Sequence, residues 1–111
     1  MNQTQQPKKL TSFTKEEIHN LFSRAVTCLR HTNLDIRKAP AAQPYGKLLL
    51  VIPRIVGSAP TRNKMRRRLK SIFYQHKIFD RGYDLIIIVK KGAIDLPFND
   101  LEQILLSATQ P

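Results

Sequence analysis

The sequence predicts a small α+β domain, one sheet with helices packed against it. Two continuous apolar runs, Leu48-Leu49-Leu50-Val51-Ile52 and Leu85-Ile86-Ile87-Ile88-Val89, have the length and composition of buried strands. Between them, Met65, Leu69, Ile72 and Phe73 follow helical spacing. Strand, helix, strand in that order favours parallel pairing of the two runs. The chain has 111 residues, 41% of them hydrophobic, which suffices for one modest core and not for two.

Taken in order, residues 1–9 are polar and read as a loose arm, with Lys8 and Lys9 adding charge, ahead of a single domain over 10–108. Thr14-Lys15-Glu16-Glu17 is a capping box, Thr at the N-cap and Glu three residues on. Ile18, Leu21, Phe22, Ala25, Val26 and Leu29 then keep helical spacing, so the first helix is predicted over roughly 14–30. Leu34 and Ile36 alternate with polar neighbours and predict a short strand at 32–37. Residues 39–44 contain Pro40 and Pro44 and should connect. The strand at 47–52 follows, closed by Pro53. Gly57 turns the chain, Ser58 or Thr61 caps the second helix, and that helix should run to about His76. Asp80-Arg81-Gly82 has turn chemistry, 83–90 is the second apolar strand, and Phe98, Leu101, Ile104, Leu105 and Ala108 predict a last helix over 98–108.

Charge narrows the function. Nineteen Lys and Arg against eight Asp and Glu give a net charge of +11 and a pI near 10.3, the footprint of a nucleic-acid binder. An anionic membrane surface is the competing partner, but no apolar run exceeds five residues and the second helix's apolar face is needed by the core. The first residues lack the apolar segment of a signal peptide, so a cytoplasmic location is expected. Cys28 is the only cysteine and should pack as a small hydrophobe.

No catalytic constellation stands out. His19, His31 and His76 fall in different elements, without Cys or carboxylates at metal-ligand spacing. Asp95 and Asp100 read as turn residues, and the glycines at 46, 57, 82 and 92 are scattered rather than gathered in a phosphate-binding loop. Binding is better supported. In Arg62-Asn63-Lys64-Met65-Arg66-Arg67-Arg68-Leu69-Lys70, six of nine residues are cationic, and no acid occurs between Arg62 and Asp80. On a helical wheel, His76 joins the apolar arc of Met65, Leu69, Ile72 and Phe73. Asn63, Arg67, Lys70 and Tyr74 lie roughly opposite. Arg62, Arg66 and Lys77 flank one edge, with Lys64 and Arg68 on the other. A merely solvated helix interleaves Glu with Lys, because like charges four apart repel. Phosphates are the natural missing counterions, and a majority of Arg favours bidentate contact with them.

These residues also carry a resemblance. Val56-Gly57-Ser58-Ala59-Pro60-Thr61-Arg62-Asn63-Lys64-Met65-Arg66-Arg67-Arg68-Leu69-Lys70-Ser71-Ile72-Phe73 is similar to the Arg-Asn-Arg region of the bacterial ribonuclease P protein subunit, and the flanks over about 8–108 follow that family's order. The resemblance implies an α-β-β-β-α-β-α two-layer sandwich related to a ribosomal-protein domain, with a left-handed crossover between parallel strands. It implies a protein cofactor of an RNA-based endonuclease that removes the 5′ leader of precursor tRNA. Chemistry would belong to the RNA subunit, with Mg²⁺ held mainly by RNA and substrate and none by the protein alone. Partners would be the catalytic RNA and precursor tRNA, with no DNA, no membrane and no obligate protein partner.

By position, the resemblance assigns Arg62, Asn63, Lys64, Arg66, Arg67, Arg68 and Lys70 to the catalytic RNA. A cleft between the first helix and the sheet would take the single-stranded leader, with Ile18, Phe22, Lys47, Arg54 and Lys90 as candidates. Three positions depart from the family pattern: Lys64 stands for a usual Arg, Ile18 for a frequent Phe and Ile55 for a usual Lys. A ribosomal or other structural RNA-binding protein without a processing role is the alternative reading.

Overall fold

The structure, a computed structural model, describes residues 10–110, so the 1–9 arm lies outside the described residues. Three helices and four strands follow in the order α1 (Lys15–Arg24), β1 (Val26–Arg30), β2 (Leu34–Pro40), β3 (Leu48–Val51), α2 (Ala59–Gln75), β4 (Tyr83–Val89) and α3 (Phe98–Ala108). This is the α-β-β-β-α-β-α order. The strands form one sheet in the spatial order β1-β2-β4-β3. The two apolar runs are neighbours and parallel, Leu48 opposite Leu85 and Leu50 opposite Ile87, with α2 as the crossover between them.

Strand alternation divides the core. Leu85, Ile87 and Val89 of β4 join Leu34, Ile36 and Leu48 on one sheet face. Met65, Leu69, Ile72 and Phe73 of α2 and Leu101, Leu105 and Ala108 of α3 cover that face. On the other face, Ile86 and Ile88 of β4 meet Ala39, Leu49, Val51 and, from α1, Leu21 and Phe22. Gly46 is required where the chain enters β3, because a Cβ there would lie 2.1 Å from the Tyr83 carbonyl oxygen.

The first helix is shorter than its periodicity predicts. The capping box forms as expected: the Glu17 N–H donates to Thr14 Oγ1 at 3.1 Å and the Thr14 N–H to Glu17 Oε1 at 2.8 Å. At Ala25, however, the backbone turns extended, and residues predicted as the helix's last turns become β1. Ala25, Val26 and Leu29 suit either period. Val26 and Thr27 are β-branched and favour the strand, and antiparallel pairing with β2 (Val26 opposite Lys38, Arg30 opposite Asp35) satisfies their backbone. Val26 is 65% exposed, so it was never part of a buried helical stripe. β2 starts two residues later than predicted and runs on to Pro40, because its far half pairs with β4 through Asp84 and Tyr83.

One buried carboxylate closes the frame. Asp84, on β4, is 4% exposed. It accepts from the Lys47 N–H at 2.8 Å and from Arg24 Nη2 at 3.3 Å. Arg24 ends α1 and also donates to the Pro40 carbonyl at 2.8 Å and to Asn20 Oδ1 at 2.7 Å, so one side chain ties α1 to β2 and β4. Asp84→Ala leaves the buried Lys47 N–H without its acceptor and removes the carboxylate from Arg24. It is expected to cost about 2–4 kcal/mol of unfolding free energy in urea titrations, and a loss below about 1 kcal/mol would remove Asp84 from this role.

Glu17 adds a pH-dependent contribution. The Thr14 N–H first, and then the Lys47 ammonium, hold its carboxyl below the ordinary value of 4.5. A depressed acid contributes fully above its unfolded value and loses that contribution as pH falls through the folded one. The stability difference between the wild type and Glu17→Gln is therefore expected to be constant above about pH 5.5 and to shrink below 4.5. A difference that ignores acid would show that Glu17 makes no charge-dependent contact.

Candidate nucleic-acid interface

α2 is built to show its cations. Ser58 caps it, accepting from the Thr61 N–H, and proline stands in its first turn where a missing N–H costs nothing. Met65, Leu69, Ile72 and Phe73 are each 2% exposed or less, so the helix cannot rotate about its axis without exposing them. Asn63, Lys64 and Arg67 are exposed, and Arg62, Arg66, Arg68 and Lys70 half-buried. The seven residues expected to meet RNA thus all lie off the buried face. Tyr74 departs from its wheel position: it leans onto the core, its ring 5.4 Å from Phe73 and 5.8 Å from Phe79. His76 turns to α3, its Nε2 2.7 Å from Glu102 Oε2.

The charges on α2 are not neutralised by carboxylates of the described residues. Among the described residues, ion pairs join Arg24 to Asp84, Lys47 to Glu17 and Lys90 to Asp35, and His76 shares a hydrogen bond with Glu102. None involves a cation of the 62–70 stretch. Its side chains are oriented by neutral acceptors instead: Arg62 Nε donates to the Gly57 carbonyl at 3.2 Å, Arg66 Nη1 to Asn63 Oδ1 at 2.8 Å and Arg68 Nη1 to the Leu96 carbonyl at 3.5 Å. Each guanidinium has five N–H donors, so one such bond fixes its plane and leaves the rest available.

The five residues expected in a leader cleft are placed unequally. Ile18 and Phe22 lie on α1, Phe22 against the second sheet face. Lys47 is only 8% exposed; its Nζ is 3.3 Å from Glu17 Oε2 and 4.3 Å from the Phe13 ring centre, so it holds α1 rather than standing open. Arg54 is exposed in a 3₁₀ turn after β3. Lys90 Nζ sits 3.0 Å from Asp35 Oδ1 and donates to the His31 carbonyl. A groove of about 700 Å³ beside α1 includes Glu17, Arg24, Lys47 and Asp84 in its wall, all already paired with one another.

Arg37 was not singled out from the sequence. It lies on β2 opposite Ile86, on the sheet face that carries Ala39, with its guanidinium 5.9 Å from the Phe22 ring centre and its Nε buried with no hydrogen-bond partner among the described residues. The signal was the alternation of Asp35, Arg37 and Ala39 against buried Leu34 and Ile36. Among the described residues, no group of three or more His, Cys, Asp or Glu side chains is placed to hold a metal ion. No described helix is long and apolar enough to cross a membrane.

The model of the ribonuclease P family matches residues 7–110. The chain belongs to the ribonuclease P family. The ribonuclease P protein component of Streptococcus gordonii is 27% identical over 99 residues, covering 89% of this chain and 83% of that protein. The component from Finegoldia magna is 41% identical over 51 residues, and this match spans only 45% of that protein's length. In fold, the chain is similar to the RNase P protein of Staphylococcus aureus, with a TM-score of 0.77 at 17% identity over 91% of this chain and 93% of that one. It is also similar to that of Thermotoga maritima, at 0.75 and 22% over 87% and 92%.

Because the α2 cations have no carboxylate partners among the described residues, removing two should not weaken the fold. Arg66→Ala combined with Arg67→Ala is expected to leave thermal unfolding unchanged or to stabilise by about 0.5 kcal/mol through relieved repulsion. A loss above about 1 kcal/mol would mean that these side chains hold the fold.

Proposed function

We propose that the chain is the protein subunit of ribonuclease P, promoting endonucleolytic removal of the 5′ leader from precursor tRNA in the bacterial cytoplasm. The observation that carries this reading is α2: six cations, fixed by a buried apolar arc, with no acid paired to them among the described residues. RNA phosphates supply the missing counterions, and condensed ions released from the RNA drive the association. Arg62, Arg66, Arg67 and Arg68 offer planar forks for bidentate phosphate contact, Lys64 and Lys70 add point charges, and Asn63 orients Arg66.

The sheet face beside α1 is the surface for the single-stranded leader. Phe22 and Ile18 provide apolar contact, and Lys90 a partly exposed ammonium. Lys47, paired with Glu17, and Arg37, whose guanidinium lies by the Phe22 ring, add positive charge to this face. Bond cleavage is assigned to the RNA subunit, with Mg²⁺ on RNA and substrate. The protein's work is to hold two RNA strands in register and to lower the local negative charge.

Adding the protein to its own genome's catalytic RNA and precursor tRNA tests the reading. Leader cleavage at limiting Mg²⁺ is expected to rise. If about five phosphates are contacted, log affinity for the catalytic RNA should fall against log salt with a slope of roughly −3 to −5, and the Arg66→Ala, Arg67→Ala double variant should flatten it. RNA binding without improved cleavage would favour a structural RNA binder.

A further inference from the structure

The cationic face of α2 is interrupted by one apolar notch. Thr61, Lys64, Met65 and Arg68 share one edge of the helix at successive turn spacings, and across a gap from them stands Ile94, in the 3₁₀ turn Ala93–Asp95. Together they line a cavity of about 170 Å³. Met65, 2% exposed, can offer only a small edge to its floor, whereas Ile94 is 38% exposed, a large aliphatic side chain left open beside two cations. Arg68 Nη1 reaches the Leu96 carbonyl, two residues beyond Ile94, which steadies the guanidinium plane at the rim. Thr61 Oγ1 lies 3.0 Å from Ser58 Oγ, so that hydroxyl already has a partner, and the cations of Lys64 and Arg68 are the polar groups left to a ligand.

Size and chemistry select the occupant. The notch is smaller than the roughly 300–1,000 Å³ typical of small-molecule sites. A bare phosphate gains nothing from an aliphatic wall, and a paired duplex keeps its bases stacked inside. An unpaired base carries both features required, an apolar face and an attached phosphate, and Arg planes are common platforms for such bases. We propose that this notch receives a single unpaired nucleobase of the RNA partner, packed on Ile94 and the edge of Met65 and covered by the Arg68 guanidinium, with Lys64 on the adjoining phosphate. The proposal rests on the reading of α2 as an RNA-docking helix and adds to it a contact that depends on base structure rather than on charge. Asp95, the next residue, is exposed and does not line the notch.

Ile94 variants test it against two probes, the catalytic RNA and inorganic polyphosphate, which has charge and no bases. Ile94→Ala is expected to weaken RNA binding about five- to tenfold with an unchanged salt slope, and to leave polyphosphate binding as in the wild type, which also verifies the fold. Ile94→Lys discriminates by sign: if charge alone mattered it would tighten RNA binding, whereas an occupied notch makes it weaken. Wild-type affinity in Ile94→Ala, equal losses for both probes, or tighter binding by Ile94→Lys each overturns the notch while the docking helix stands. A wild-type chain whose RNA affinity ignores salt overturns both.

Discussion

The apolar seam between α2 and the parallel pair β3 and β4 is the constraint on which the molecule depends. Met65, Leu69, Ile72 and Phe73 are buried against Leu48, Leu85 and Ile87, and each such side chain contributes about 1.5–3 kcal/mol when fully removed from water. Repulsion between like charges along a helix amounts to about 0.2–0.5 kcal/mol per pair. The seam therefore outweighs the repulsion, and a helix that would otherwise separate its charges is held with all of them off its buried face.

The acids are placed to match. Of eight in the chain, Glu17, Asp35, Asp84 and Glu102 pair with Lys47, Lys90, Arg24 and His76, at the junctions between α1 and the sheet, within the sheet and between α2 and α3. Asp84 is the most deeply placed of these, and its bond to Arg24, which also reaches the Pro40 carbonyl, ties the end of α1 to β4 and β2. Positive charge near α1 is thus spent on architecture, and positive charge on α2 is left for a partner.

Neutral acceptors around α2 serve a different end. The Gly57 and Leu96 carbonyls and the Asn63 amide orient three guanidinium groups without cancelling their charge. A surface organised in this way costs less to order on binding than one of loose side chains.

The sequence by itself determined what depends on near neighbours along the chain. The capping box at Thr14, the helical arc of α2, the two buried strands and the unbroken run of cations are all local patterns, and the spacing of those cations carried the family resemblance. Tertiary structure decided what depends on distant partners. Residues 26–30 match a helix and a strand equally well, and only the presence of β2 makes them β1. Lys47 reads as an open cation until Glu17 and Phe13, thirty and more positions earlier, close over it. Alternation along β2 gives the face that Arg37 takes and nothing local marks Ile94, while the ring beside one and the notch beside the other come from other elements. Periodicity records which face a residue takes; what stands opposite that face is settled only when the chain folds.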